Sequence, residues 1–396
     1  MRYPDAAIPA GFAWSSPFAR WQGSLAGLPG LDLAATVTSR ALADRGVDPA
    51  TVDGLVLGWT IPQPDIFYGS PTLAGWIGMP GVSGPMISQA CATSVAGLHA
   101  AASATQADGG SLQLLVAVDR TSNGPQLIYP STSAPGGAPF SFNWVSDSFG
   151  HDPWAGTGML DAAEAVAAEM GVSKSELDDI KIMRHEQYEH ALAGDRSFQR
   201  RYQVPVEVRQ GKANVQLAAD EGVRPLDPAA IRKLSPARPD GLHSFAAQTH
   251  PADGCTGAVV TSVSRARELA RGEGVARVLA TAFARVGKTR MPQAPVPAAL
   301  TALSDAGLDM SAVDAVTTHN PFAVNDLYFS SAANYPVERM NSYGCSLVYG
   351  HPQAPTGLRA VAELIEELRL RGGGIGLFTG CAAGDTGAAT VVVVEG

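Results

Sequence analysis

The 396-residue sequence predicts a five-layered α-β-α-β-α sandwich built from two duplicated βαβ halves plus an inserted loop domain. Three observations predict it. Amphipathic helical stretches alternate with short apolar strands, the pattern of a sheet covered on both faces. That pattern occurs twice in the same order. Between the two occurrences the composition turns loop-rich and aromatic, then charged.

The duplication rests on three ordered matches at nearly one offset. GVDPATVDGLVLG at 46–58 aligns with GLDMSAVDAVTTH at 307–319, an offset of 307 minus 46, or 261. CATSVAGLHAA from Cys91 aligns with HPQAPTGLRAV from His351, an offset of 351 minus 91, or 260. GGSLQLLVAVD, ending at Asp119, resembles GGGIGLFTGCA at 372–382, an offset of 372 minus 109, or 263.

Each half reads alike. An amphipathic helix (LAATVTSRALADRG; VPAALTALSDAG) leads to an apolar strand (VDGLVLG; VDAVTTH), then a helix of small residues, then a strand after a Gly-rich turn. The helix that follows Cys91 is made of Ala, Gly, Ser and Thr, which suits a helix buried inside protein and not one in lipid. The expected divisions are 1–120 for the first half, completed by about 246–272, then 121–245 for the inserted loop domain, and 273–396 for the second half. Within the insert, STSAPGGAPFSFNWVSDSFGHDPWAG is a loop-rich lid. LDDIKIMRHEQYEHALAGDRSFQRRYQ is a surface-type helix.

Composition excludes several function classes. With 37 acidic against 28 basic residues and a net charge of −9, the chain offers no broad cationic surface for nucleic acid. The first thirty residues do not read as a signal peptide, and no stretch reads as a membrane span. Four cysteines (Cys91, Cys255, Cys345, Cys381) show no CxxC pair, so free thiols in a reducing, cytoplasmic compartment are expected. His99, His185, His190, His243 and His250 form no ligand pair, and no metal site is expected. GKT at 287–289 lacks the upstream Gly of a phosphate loop, and no G-x-S-x-G occurs.

The duplication carries a chemical consequence. Cys91 and His351 occupy equivalent positions, each read as the first turn of an equivalent helix, so a pseudo-dyad brings thiol and imidazole together. A helix N-terminus and a neighbouring imidazole predict a depressed thiol pKa at Cys91. By the same logic His319 and Cys381 end strands whose C-terminal ends face one place, where ligands sit in α/β sheets. Read singly, each of these four residues is equally a core residue. The pairing by duplication singles them out.

An ordered set of motifs resembles the thiolase family along nearly the whole chain. SSPFARWQGSL at 15–25 is similar to its R-T-P-F entry, lacking the Arg, and SQACATSVAGLHAAA at 88–102 looks like its nucleophile segment. DEGVRP at 220–225, HNPFA at 319–323, GHPQAPTGLR at 350–359 and CAAGDTGAA at 381–389 stand where the family has D-E-x-x-R, N-E-A-F-A, G-H-P-x-G-A-T-G-x-R and C-x-G-G-G-x-G-x-A.

The resemblance implies the following roles. Cys91 takes the acyl group of an acyl-CoA as a thioester. His351 deprotonates Cys91 and helps hold a thioester oxygen, and His319 with a water completes that oxyanion hole. Cys381 moves the α-carbon proton of the second acyl-CoA. Backbone N–H groups of Cys91 and Ala383 form the other oxyanion hole. Arg224, Thr249 and Met159 contact the coenzyme A, which enters as substrate, so no separate cofactor is implied, and a homodimer or dimer of dimers is expected.

Three departures bear on subtype. His319 replaces the family's Asn, as in sterol-carrier-type thiolases. The turn after Cys381 is Ala383, Gly384 and Asp385, two glycines short. Gly158 stands where the family's His contacts the pantetheine arm. Phe140, Phe142, Trp144, Phe149 and Trp154 form either a bulky acyl pocket or the lid's own core. Two further readings stay open beside the acyltransferase: a ketoacyl-synthase-like condensing enzyme using a malonyl or carrier-protein donor, and a non-catalytic acyl-CoA-binding or partner-binding subunit.

Overall fold

The computed structural model describes residues 1–395 except 134, 211 and 212. Two mixed sheets form its second and fourth layers. The first has the order Ala13–Ser15, Ala252–Val260, Gln113–Arg120, Gly54–Gly58 and Met86–Ile87. The second has the order Ala7–Pro9, Val275–Arg285, Thr386–Glu395, Gly374–Ala382 and Ala315–His319.

The two sheets repeat one another. Gly54–Gly58 pairs in parallel with Gln113–Arg120, as Ala315–His319 does with Gly374–Ala382. In each sheet the last of these strands then pairs antiparallel with the strand that follows in the sheet order. These strands are buried along nearly their whole length, which explains why they read as unbroken apolar runs. Residues Ala7–Pro9 cross to the edge of the second sheet and pair with Val275–Arg277. The chain therefore laces the two halves together from its start.

Helices Thr93–Ala107 and Pro355–Leu370 form the middle layer. Small residues at their points of closest approach are what lets them fit there. A side-chain carbon at Gly97 would stand 2.5 Å from Leu115, and one at Gly357 would stand 3.2 Å from Ser94 of the facing helix. The starts of the two helices are joined directly, because the Ser94 hydroxyl donates to the carbonyl of Ala354. Helices Gly30–Asp44 and Pro295–Ala306 cover the outer faces.

After Arg120 the chain leaves the first sheet and returns to it at Ala252. The excursion holds helices Met159–Met170 and Lys174–Ala191 and two hairpins, Gln126–Tyr129 with Phe140–Asn143 and Val206–Gln210 with Ala213–Leu217. It is fastened to the sandwich by Asp220. That carboxylate takes a bidentate pair of bonds from Arg359 at 2.6 and 2.7 Å, with both side chains fully buried.

Candidate active site

Cys91 sits on a turn that its neighbours hold in an unusual conformation. Ala90 before it has φ of +45°, a left-handed value that costs an alanine free energy. Thr93 locks both ends of the turn: its hydroxyl accepts from the Gln89 N–H at 2.8 Å and donates to the Ala90 carbonyl at 2.6 Å.

The thiol meets His351 as the duplication predicts, with Sγ 3.2 Å from Nε2. The local geometry differs from the expectation, however. Cys91 precedes its helix by two residues and His351 precedes its own by four, so neither lies in a first helical turn.

The ionisation expected for Cys91 also needs correction. Burial pushes its thiol up to about 12, more than the N–H bonds from Ala383 and from Cys91 itself pull it down, and buried Asp119 adds to the rise. Burial likewise holds His351 well below the ordinary imidazole range, and the facing His319 lowers it further. The resting pair is therefore thiol and neutral imidazole. A dry site makes separated charge expensive before substrate arrives.

Both imidazoles are fixed through their Nδ1 atoms. His351 Nδ1 lies 2.6 Å from the Thr356 hydroxyl, and His319 Nδ1 lies 2.9 Å from the Ser346 hydroxyl. Ser346 donates its proton to Asn320 Oδ1, so His319 Nδ1 is the donor to Ser346. That leaves His319 Nε2 as a bare lone pair, buried and without a hydrogen-bond partner among the described residues. The two rings stack with centroids 4.1 Å apart.

Cys381 lies within reach of the same centre. Its thiol is raised by burial and by the proximity of Cys91, and it accepts a bond from Asn325 Nδ2 at 3.2 Å. The turn that follows tolerates its missing glycines for local reasons. Ala383 needs no positive φ, whereas Asp385 adopts +56°. The Asp385 carboxylate then accepts from the N–H groups of Thr289 and Arg290 at 2.9 and 2.8 Å, which anchors the turn.

The proposed coenzyme contacts come from three separate segments of the chain. Met159 lines a cavity of about 920 Å³ that reaches Ala383, Gly384 and Asp385. Thr249 and Arg224 do not line it. Thr249 donates its hydroxyl to the Ser346 carbonyl at 2.6 Å, and Arg224 is exposed. Of the five aromatic residues singled out, Phe140, Phe142, Trp144 and Trp154 line the cavity and Phe149 does not. Trp144 is pinned by its indole N–H to the Thr60 carbonyl at 2.9 Å.

Several residues at this centre escaped the sequence reading. Gln353 accepts from the Cys91 thiol at 3.3 Å and also bonds His351. It fills the variable position of G-H-P-x, which a closer look at that motif could have flagged. Asp119 carries no such signal. It ends a strand of the first half, yet accepts from Ala354 in the second half at 2.9 Å and from Thr60 and Ile61 at 2.8 Å each. Burial outweighs these donors and pushes its carboxyl up to about 7.

The buried imidazoles fix a pH response. Burial holds His319 down to about 3, whereas an unfolded histidine titrates near 6.5. Above about pH 6.5 neither state is protonated and His319 contributes nothing to the pH dependence. As pH falls from there towards 3 the unfolded chain gains a proton that the fold refuses, at about 1.4 kcal/mol per pH unit. His319→Asn is therefore expected to flatten the fall in stability between pH 6 and 4 in denaturant titrations. An unchanged slope would contradict a neutral His319.

Comparison with known proteins places this geometry. Residues 12–264 match the thiolase N-terminal domain and residues 272–394 the thiolase C-terminal domain. The chain is 29% identical to the 3-ketoacyl-CoA thiolase of Serratia proteamaculans, covering 96% of this chain and 95% of that one. It is 28% identical to the acetyl-CoA acetyltransferase of Pseudomonas aeruginosa, covering 93% and 94%. The fold superposes on the crystal structure of human mitochondrial 3-ketoacyl-CoA thiolase with a TM-score of 0.90, 22% identity and 98% of each chain covered. That human enzyme has also been solved in complex with CoA, where the TM-score is 0.89 at the same identity and coverage. With both domain descriptions matched across nearly its full length, this chain belongs to the thiolase family.

Proposed function

We propose that the protein is a thiolase-type acyl-CoA C-acyltransferase that forms or cleaves 3-ketoacyl-CoA through an acyl-Cys91 thioester. The observation that carries this reading is the 3.2 Å contact between Cys91 Sγ and His351 Nε2, with the N–H groups of Cys91 and Ala383 directed at the same sulfur. As Sγ attacks the thioester carbonyl, its proton passes to His351 Nε2. The carbonyl oxygen becomes an anion held by those two N–H groups, and coenzyme A leaves with the proton. Cys381, ionised by passing its own proton to the now neutral His351, then takes a proton from the α-carbon of a second acyl-CoA. The resulting enolate attacks the acyl-Cys91 carbonyl, and Cys91 departs as thiolate and takes the proton back from His351, which restores the resting thiol and neutral imidazole. His319 and His351 stabilise the enolate oxygen, His319 through a water, since its free nitrogen is an acceptor. Cleavage by coenzyme A is the reverse.

In this reading residues 121–245 are the lid, and Met159, Thr249 and Arg224 guide the coenzyme. The chain works as a homodimer or dimer of dimers in the cytoplasm. No described helix is long and apolar enough to cross a membrane. The names of the relatives, 3-ketoacyl-CoA thiolase and acetyl-CoA acetyltransferase, support the substrate class. His319 in place of Asn favours a second reading, a condensing enzyme with a malonyl donor. Cys381 weighs against it, because decarboxylation makes the carbanion without a base.

The aromatic cavity beside Ala383 suits a bulky acyl group. Trp144→Ala is expected to raise KM for long or ring-bearing 3-ketoacyl-CoA about 10-fold or more, with little change for acetoacetyl-CoA, since a large buried ring contributes on the order of 2 kcal/mol. The decisive assay follows loss of the 3-ketoacyl chromophore with coenzyme A, alongside intact mass of the protein. An acyl adduct and consumption of coenzyme A support thiolysis. No adduct from any acyl-CoA would overturn the reading, and condensation that requires a malonyl thioester would replace it with the second.

A further inference from the structure

Among the described residues, Cys91, His319 and His351 form a cluster whose ligand atoms all lie within 4.8 Å of one another, and all three side chains are buried. The five histidines scanned as sequence pairs include none of these. Only the fold assembles the set, because Cys91 lies more than 200 residues before the two histidines and these come from separate segments of the second half.

The cluster has what a thiophilic cation needs. In a tetrahedral zinc site, bonds of about 2.3 Å to sulfur and about 2.0 Å to nitrogen place neighbouring ligand atoms about 3.4–3.6 Å apart. Sγ and His351 Nε2 stand 3.2 Å apart. Both imidazoles are already oriented through Nδ1, by Thr356 and by Ser346, in the manner of the outer partners that orient metal-bound histidines. His319 Nε2 is a buried lone pair with no hydrogen-bond partner among the described residues. For an enzyme that leaves one nitrogen deliberately free, a soft divalent ion is the natural competitor of substrate.

We propose that Cys91, His319 and His351 bind a divalent cation of the Zn2+ class, and that the bound ion reversibly blocks acyl transfer. Cys91 gives up its thiol proton to solvent and ligates as thiolate, while the two histidines ligate through neutral Nε2. The fourth position is left for a water molecule that enters with the ion. No electron is transferred, and removal of the ion returns the thiol. Binding itself is independent of the acyltransferase reading, whereas the block rests on it. Hard cations such as Mg2+ lack affinity for this ligand set.

The test uses the full-length, chelator-treated protein with Zn2+ in calorimetry and Co2+ in absorption spectroscopy. Expected are one equivalent of Zn2+, a Co2+ spectrum with tetrahedral d–d bands and a thiolate-to-metal charge-transfer band, and recovery of activity on adding chelator. His319→Asn and Cys91→Ser are each expected to weaken Zn2+ binding at least about 10-fold, and the charge-transfer band should vanish in Cys91→Ser. His190→Ala, at an exposed histidine outside the cluster, should change nothing. Absence of binding by wild type, or affinity unaltered in both cluster variants, overturns the site. Tight binding without loss of activity keeps the site but overturns the block. Binding in a protein that shows no acyl transfer with any substrate separates failure of the catalytic reading from failure of this one.

Discussion

Cys91→Ala is expected to lose acyl transfer by about 10³-fold or more while keeping the fold. Removal of a nucleophile eliminates the covalent route and leaves only what positioning and the oxyanion donors supply. Intact mass after incubation with an acyl-CoA separates the roles of the two buried thiols. Wild type and Cys381→Ala should both carry the acyl adduct, and Cys91→Ala should not. Carbon–carbon bond formation should fail in both variants, because Cys381→Ala accepts the acyl group but cannot generate the enolate. Condensation surviving in Cys381→Ala would remove Cys381 from the reaction. The fold should withstand either change, since each deletes one sulfur and leaves no buried ion behind. The remaining partners are the Gln353 amide and the neutral His351 imidazole beside Cys91, and the Asn325 amide beside Cys381.

Arg359→Met is expected to cost about 3–5 kcal/mol, a large share of the stability of a folded protein. The guanidinium is fully buried and holds two carboxylates, Asp220 through a bidentate pair and Glu363 at 3.0 Å. It also stacks on Tyr349 at 3.5 Å and on Phe18 at 4.5 Å. Burial pushes the Asp220 carboxyl up, but the adjacent Arg359 charge and the donors around it hold it below the ordinary range. Without Arg359 two carboxylates are stranded in the dark of the core. Arg359→Lys should rescue little, because an ammonium supplies neither the planar fork nor the ring stack. The converse change, Asp220→Asn, should cost less, since Glu363 still neutralises Arg359. Denaturant midpoints measure all three. A loss below about 1 kcal/mol for Arg359→Met would show that the network does not hold the inserted segment to the sandwich.

That network shows how much the motifs conceal. Asp220 lies in DEGVRP and Arg359 closes GHPQAPTGLR, and the two motifs are quoted far apart with no hint that they belong together. In the fold they are each other's partners. Here a motif residue that looks chemical serves to dock one part of the chain on another. The Tyr188 hydroxyl, the Phe18 N–H and the Gln203 amide also donate to Asp220, at 2.9, 2.8 and 3.2 Å.

The sequence by itself determined the doubled βαβ pattern, the burial of the small-residue helices and the meeting of Cys91 with His351. These follow from periodicity and from equivalent positions about a pseudo-dyad, which are properties of the order of residues. His319 and Cys381 were legible for the same reason, because strand ends can be read from where apolar runs stop. Only the tertiary structure decided the protonation of the site. Burial of Cys91 overrides the effect expected from a helix start and a neighbouring imidazole, and burial depends on everything packed around the thiol. It also decided the partners that come from distant segments: Gln353 against Cys91, Ser346 behind His319, Asp119 across the two halves, and Arg359 with Asp220. Such contacts have no periodicity and no fixed spacing, since they are set by how closed loops approach one another after the sheets have formed. The same is true of the lone pair on His319, whose direction is fixed by a serine 27 residues further along the chain.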